Sequence, residues 1–139
     1  MPTMKIYQTK VNKFSGTQYA EVSRQAREIY NQIKRKTKRR PYIRSSYFNK
    51  EKVFLEFYWQ HLYEKSNHRD KIRRIKYFPC AIELIENSRF EPTSKKNPNR
   101  SSEILHRLIG STPSGEQFIV QIKEENSGQK WLVSIFPKV

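Results

Sequence analysis

The chain has 139 residues, 35% of them hydrophobic, and a formal net charge of +15 from 28 Lys and Arg against 13 Asp and Glu. That length suits one compact domain and is too short for two independent cores. A single cysteine and three scattered histidines exclude an internal disulfide and leave no zinc-ligand set, and no run approaches the roughly 18 apolar residues of a membrane span. No cofactor is expected, and the composition predicts a cytoplasmic protein that does not enter the membrane. The 18 aromatic residues, 8 Tyr, 8 Phe and 2 Trp, supply enough large side chains for a folded core.

Residues 4–14 read as a short strand or an arm. Ser15 or Thr17 then caps a helix beginning near Gln18, because Ala20, Val22 or Ala26, Ile29, Tyr30 and Ile33 recur at three- and four-residue spacing. The helix runs to about Lys38 and ends in the densest charge run of the chain, Lys34, Arg35, Lys36, Lys38, Arg39 and Arg40, halted by Pro41. Cations suit the last turn of a helix, and the run reads either as a solvated face or as a phosphate-contacting patch.

Residues 41–48 form an aromatic and hydroxyl-rich loop with Arg44 and Tyr47, and Asn49 is a good helix N-cap. From there Val53, Phe54, Phe57, Tyr58 and Leu62, with Leu55 and Trp59 beside them, predict a second, mostly buried helix ending near Lys65. His61 within it reads as a packing histidine. A third helical region turns Ile72 and Ile75 inward and Arg69, Arg73, Arg74 and Lys76 outward, and Pro79 marks a kink or a restart before Cys80, Ile82, Leu84 and Ile85. Cys80 is expected as a core thiol.

Residues 91–102, with two prolines, two asparagines and three serines, read as a connector. The charge changes there too: every net positive charge precedes residue 101, and residues 101–139 balance four cations against four glutamates. Beyond the connector the pattern is that of strands: Ile104–Ile109, Phe118–Lys123 and Trp131–Phe136, separated by turns rich in Gly and Ser. A fourth, edge strand is expected from within Arg89–Ser94. The predicted fold is α+β: one domain of basic N-terminal helices (1–90) packed on a C-terminal antiparallel sheet of three to four strands (103–139).

A hairpin centred on Pro113-Ser114 sets His106 opposite Gln121 and Leu108 opposite Ile119, with Val120 and Ile122 turned to the helices. His106, Gln121 and Lys123 would then share a face. His106 is the candidate acid or base, since imidazole titrates near neutral pH. Arg107 points to the opposite side of a regular strand and needs a bulge to reach the same site. Ser134 is a lone hydroxyl in an otherwise apolar strand. Cutting RNA without metal needs a base for the 2′-hydroxyl, an acid for the 5′-oxygen, and charge for the phosphorane, roles that His106, Lys123 or Arg107, and Ser134 or Thr112 would fill.

The run from Ala81-Ile82-Glu83-Leu84-Ile85 through His106-Arg107, Gly110–Gly115, Phe118–Lys123 and Leu132–Pro137 resembles the barnase, EndoU, colicin and RelE-like superfamily of small ribonucleases, over about residues 78–139. The resemblance implies a helix before a four-stranded antiparallel sheet whose open face cuts RNA without metal, to a 2′,3′-cyclic phosphate and a 5′-hydroxyl. It carries over to His106, Arg107, Thr112 and Ser134, and the sheet lacks a second histidine. A toxin-like or mobile-element role with an acidic inhibitor or antitoxin as partner follows from it. Two other readings stand beside it. One is a noncatalytic RNA- or DNA-binding protein that stacks bases on Tyr42, Tyr47 and Phe48; the other is a protein-interaction module of a mobile element.

Overall fold

The computed structural model describes residues 5–63 and 68–138. Its elements in chain order are β1 (Tyr7–Gln8), α1 (Tyr19–Thr37), β2 (Tyr42–Ser45), β3 (Glu51–Phe54), α2 (Glu56–Tyr63), α3 (His68–Ile75), α4 (Phe78–Asn87), β4 (Thr93–Asn97), β5 (Arg100–Ser111), β6 (Gln117–Glu124) and β7 (Lys130–Pro137). All strands join one seven-stranded sheet ordered β1-β5-β6-β7-β3-β2, with β4 also pairing β5. Among the described residues no helix is long and apolar enough to cross a membrane.

The expected antiparallel sheet of three to four strands is therefore corrected. The sheet has seven strands and is mixed, since β1 runs parallel to β5 and β3 parallel to β7. Three of its strands come from the N-terminal part, which was expected to be mainly helical. The reason lies at Asn49. Instead of capping a helix, Asn49 and Lys50 adopt φ of 57° and 66° at the tip of the β2–β3 hairpin, the left-handed pair that a tight hairpin turn demands and that asparagine tolerates best. The Ser45 hydroxyl accepts the Phe48 amide (3.2 Å), and the Lys50 amide bonds the Ser45 carbonyl (2.7 Å). Val53 and Phe54 thus belong to a strand, and the helix starts only at Glu56. Its expected end near Lys65 lies outside the described residues.

The other elements fall closer to expectation. α1 buries Val22, Ser23 and Ala26, while its capping position is Gln18, which makes no side-chain cap bond. Pro79 marks a restart: it sits in the first turn of α4, where its missing N–H costs nothing. The connector expected over 91–102 is largely β-structure. β4 pairs β5 from Thr93↔Arg107 to Asn97↔Arg100, so the prolines Pro92 and Pro98 flank a strand.

One face of the sheet is covered. Phe118, Val120, Ile122, Leu132 and Ile135 are fully buried there with Val53, and they meet Val22 and Ala26 of α1, Leu55, Tyr58 and Leu62 at α2, and Phe78, Ala81, Leu84 and Ile85 of α4. Tyr58 and Trp59 flank Phe78 at 5.9 and 5.8 Å between ring centroids, and Tyr30 stacks on Trp59 at 4.6 Å. α2 and α3 lie along β7, extending the cover beyond the point where β3 ends.

Candidate nucleic-acid interface

The pairing of β5 with β6 decides which side chains meet. His106 pairs Ile122, Arg107 pairs Gln121 and Leu108 pairs Val120, one residue from the expected register. Directly paired residues share a face. His106 thus turns with Val120 and Ile122 toward the helices, while Arg107, Gln121 and Lys123 occupy the other face. The expected grouping of His106 with Gln121 and Lys123 is corrected, and Arg107 shares their face and bonds Gln121 without any bulge. The same rule places Ser134 opposite Gln121, and Trp131 opposite both Lys123 and Phe54, on the open face.

His106 is 7% exposed. Its Nδ1 meets the Ser94 hydroxyl at 2.6 Å and its Nε2 meets Glu124 Oε1 at 2.8 Å. An ionised carboxylate only accepts, so Nε2 carries a proton; in the neutral ring Nδ1 then accepts from Ser94. The Phe48 ring packs edge-on against the imidazole at 4.9 Å, and Lys130 Nζ lies over Phe48 while bonding Glu51 at 2.7 Å. This is a satisfied polar layer within a mostly apolar face, and both ring nitrogens are spoken for.

Thr112 is 3% exposed and organises the β5–β6 turn. Its hydroxyl accepts the Glu116 amide at 3.1 Å and meets Ser114 Oγ at 3.1 Å, and its own amide bonds the Glu116 carbonyl at 2.8 Å. It shares no site with Ser134 or Lys123.

The open face carries a different chemistry. From β2 across β3 to β7 the rings of Tyr42, Phe54 and Trp131 touch in series, 6.0 and 5.2 Å apart. Arg40 lies over both Phe54 and Trp131, at 5.3 and 4.9 Å, and is held by Glu56 through Nε at 2.5 Å. Arg44 and Lys52 lie over Tyr42 at 5.4 and 4.7 Å, and Lys123 over Phe57 at 4.5 Å. At the far end of β7, Phe136 lies within 5.7 Å of both Arg74 and Arg107, and Arg107 Nε donates to Gln121 Oε1 at 2.9 Å. Rings at this spacing, each with a cation beside it, offer stacking surfaces and phosphate partners together.

The other basic residues expected to contact nucleic acid lie on α1, β2 and α3. Lys34, Arg35 and Lys36 are exposed in the last turn of α1, and Lys38, Arg39 and Arg40 are exposed at its end. Arg44 is exposed on β2, whereas Tyr47 packs edge-on against Phe48 on the turn beyond it. On α3, Arg69 and Arg73 are exposed, and Arg74 bonds Asp70 at 2.9 Å as well as reaching Phe136.

Sequence reading misses Phe54, Trp131 and Phe136 as a platform, because the apolar spacing around Phe54 reads as that of a helix. It also sets His61 aside. His61 stacks on Phe57 at 6.0 Å and lines a void of about 10 Å³ between α2, α3 and β7, with Tyr58, Leu62, Arg74, Ser134 and Ile135. Burial raises the Tyr58 phenol well above its ordinary pKa. Among the described residues no group of three or more His, Cys, Asp or Glu side chains gathers to hold a metal ion. No family model, curated protein or solved structure matches the chain.

Proposed function

We propose that this protein binds single-stranded RNA across the open face of its sheet. The carrying observation is the run of rings Tyr42, Phe54, Trp131 and Phe136 on that face, each with an Arg or Lys within 6 Å. A base stacks on any of these rings regardless of its identity, and the neighbouring guanidinium or ammonium turns to the phosphate. Single strands fit better than a duplex, whose bases are already stacked on one another. Gln121 and Ser134, neutral and paired across β6 and β7, supply donors and acceptors for the ribose 2′-hydroxyl, which separates RNA from DNA. The run Lys34–Arg40 and the arginines Arg69, Arg73 and Arg74 extend the positive potential around the face and speed the encounter.

The test is anisotropy titration of unstructured RNA and DNA of one sequence across a salt series. The logarithm of affinity should fall linearly with that of salt, at about 0.7 per phosphate neutralised on a single strand. Replacing Arg40 and Arg44 by Gln should flatten the slope by about 0.7 for each phosphate that these arginines grip. An affinity indifferent to salt and to these substitutions would remove the reading.

Metal-independent RNA cleavage is a second reading, and one observation favours it: His61 lies near Ser134 and Arg74, and Arg74 shares the Phe136 ring with Arg107, which bonds Gln121. His106, by contrast, pairs Ile122 and faces the helices. Cleavage in excess EDTA that is blocked by one 2′-deoxy nucleotide, and lost in His61→Ala but not His106→Ala, is the expected pattern. Intact RNA at concentrations where binding is complete would leave a binding protein alone.

A further inference from the structure

Away from both faces of the sheet, a cleft of about 550 Å³ opens between α3, the segment after β1, the β5–β6 turn and the end of β7. Its walls carry Lys13, Arg73, Lys76 and Lys138, with one carboxylate, Glu116. Glu116 is already committed. It bonds Lys13 Nζ at 2.5 Å and accepts from the Tyr77 hydroxyl at 3.3 Å, and the Lys13 bond holds its carboxyl below the usual range, so it stays charged and turned to Lys13. Arg73, Lys76 and Lys138 have no carboxylate partner among the described residues.

The fold holds these cations close. Arg73 and Lys76 are three apart on one stretch of chain, where i and i+3 side chains are neighbours. The Phe14 amide bonds the Lys76 carbonyl at 2.9 Å, tying the segment that carries Lys13 to the end of α3. The Lys138 amide bonds the Gln117 carbonyl at 2.9 Å, fixing the other wall. Three like charges converging on a concave surface walled by Tyr77 and Pro137 repel one another, and a bound anion relieves that repulsion. A dianion relieves it about twice as well as a monoanion at the same distance.

We propose that this cleft binds the dianionic phosphate of a phosphomonoester, gripped by Arg73, Lys76 and Lys138. The guanidinium takes two oxygens in a fork and the two ammonium groups meet the third, with the Gln117 amide as a neutral donor at the rim. A phosphodiester within a strand carries one charge and lacks the third free oxygen, so it fits less well. Such a group arrives either at the end of a nucleic-acid strand or on a free mononucleotide. The inference does not depend on the open face binding RNA.

The experiment uses the full chain and amide NMR. Inorganic phosphate at pH 8 and a nucleoside 5′-monophosphate are titrated against chloride at equal ionic strength. Saturable shifts confined to Gly115, Glu116, Gln117 and Lys138 are expected, weakened roughly tenfold in Arg73→Gln with Lys76→Gln, since charge-assisted hydrogen bonds are the strong ones. Anisotropy with RNA bearing a 5′-phosphate or a 5′-hydroxyl separates the sources. A gain of about tenfold from the terminal phosphate, erased by the double substitution, identifies a strand end; no gain alongside saturable mononucleotide binding identifies the free ester. Shifts that track ionic strength alone, or that survive the double substitution unchanged, overturn the site. Trp131→Ala should leave the phosphate shifts intact, and a failure of RNA to bind at all would sink the open-face reading while leaving these shifts in place.

Discussion

The two faces of the sheet are made from alternate residues of the same strands, yet they have opposite chemistry. Along β6, Phe118, Val120 and Ile122 are fully buried, while Ile119, Gln121 and Lys123, alternating with them, are partly exposed. Along β5 the neighbours His106 and Arg107 part company: one is sealed between Ser94 and Glu124, the other lies over Phe136. Strand period sorts the side chains of β5 and β6, and a register shift in β7 puts Leu132 and Ser134 on opposite faces, so a single residue of register determines which polar groups can act together. The covered face stores stability, and the open face sets rings and cations side by side.

Truncation should break this comparison most sharply. Phe118→Ala removes a fully buried ring stacked on Tyr77 at 5.4 Å and should cost roughly 3–5 kcal/mol, enough to unfold much of a small domain. Ile119→Ala, one residue on and half-buried, should cost far less. Chemical denaturation of the two variants checks this; equal losses would mean that the open face is packed as tightly as the covered one.

How much of this is legible follows from the same geometry. The three C-terminal strands announce themselves by alternation, which also turns Val120 and Ile122 correctly toward the helices, because apolar period needs no knowledge of partners. The partner of His106 depends on where the turn centres, and turn geometry is weakly encoded in Gly110–Gly115. Pairing His106 with Ile122, itself an inward residue by alternation, would have exposed the conflict at once. β2 and β3 are hidden for another reason: each has four residues, too few for a period, and the second runs straight into α2. The parallel pairing of β3 with β7 joins residues 53 and 130, a neighbourhood that no local pattern reports. The platform Tyr42, Phe54 and Trp131 exists only through that pairing.

On the open face the expected effect is on affinity. Phe136→Ala and Trp131→Ala should each weaken RNA binding by roughly 1–3 kcal/mol if each carries one stacked base, with far smaller losses in melting temperature than Phe118→Ala. Anisotropy at fixed salt measures it. Binding unchanged in both variants would move the ligand off this face.

His106 should show the reverse. His106→Ala leaves Glu124 and Ser94 without their partner in a mostly apolar layer. Because Glu124 keeps 26% side-chain exposure and water can replace the imidazole, about 1–2 kcal/mol of stability is the expected loss, and RNA affinity should stay within a few-fold. A large fall in affinity with unchanged melting would return His106 to the interface.

The smallest effect lies where β1 joins the edge of the sheet. Tyr7, paired in register with Gly110, donates its hydroxyl to Glu83 Oε2 on α4 at 2.8 Å, and the same carboxylate accepts the amides of Lys10 and Val11. Burial, and then the Glu83 bond and charge, push the Tyr7 phenol up to about 12, against about 10 in an unfolded chain. The folded state therefore keeps a proton that the unfolded state releases. The contribution is complete below about pH 10 and is lost as pH rises toward about 12. Tyr58, Tyr77 and Cys80 are raised as well, chiefly by burial, and add to the alkaline loss in any variant. The informative quantity is a difference: Tyr7→Phe should cost on the order of 1 kcal/mol or less at neutral pH, and its deficit against the wild type should shrink between about pH 10 and 12 as the wild type surrenders the same bond. Denaturant midpoints at several pH values read this out, and a deficit constant throughout the alkaline range would mean that Glu83 holds the β1 segment by its backbone amides alone.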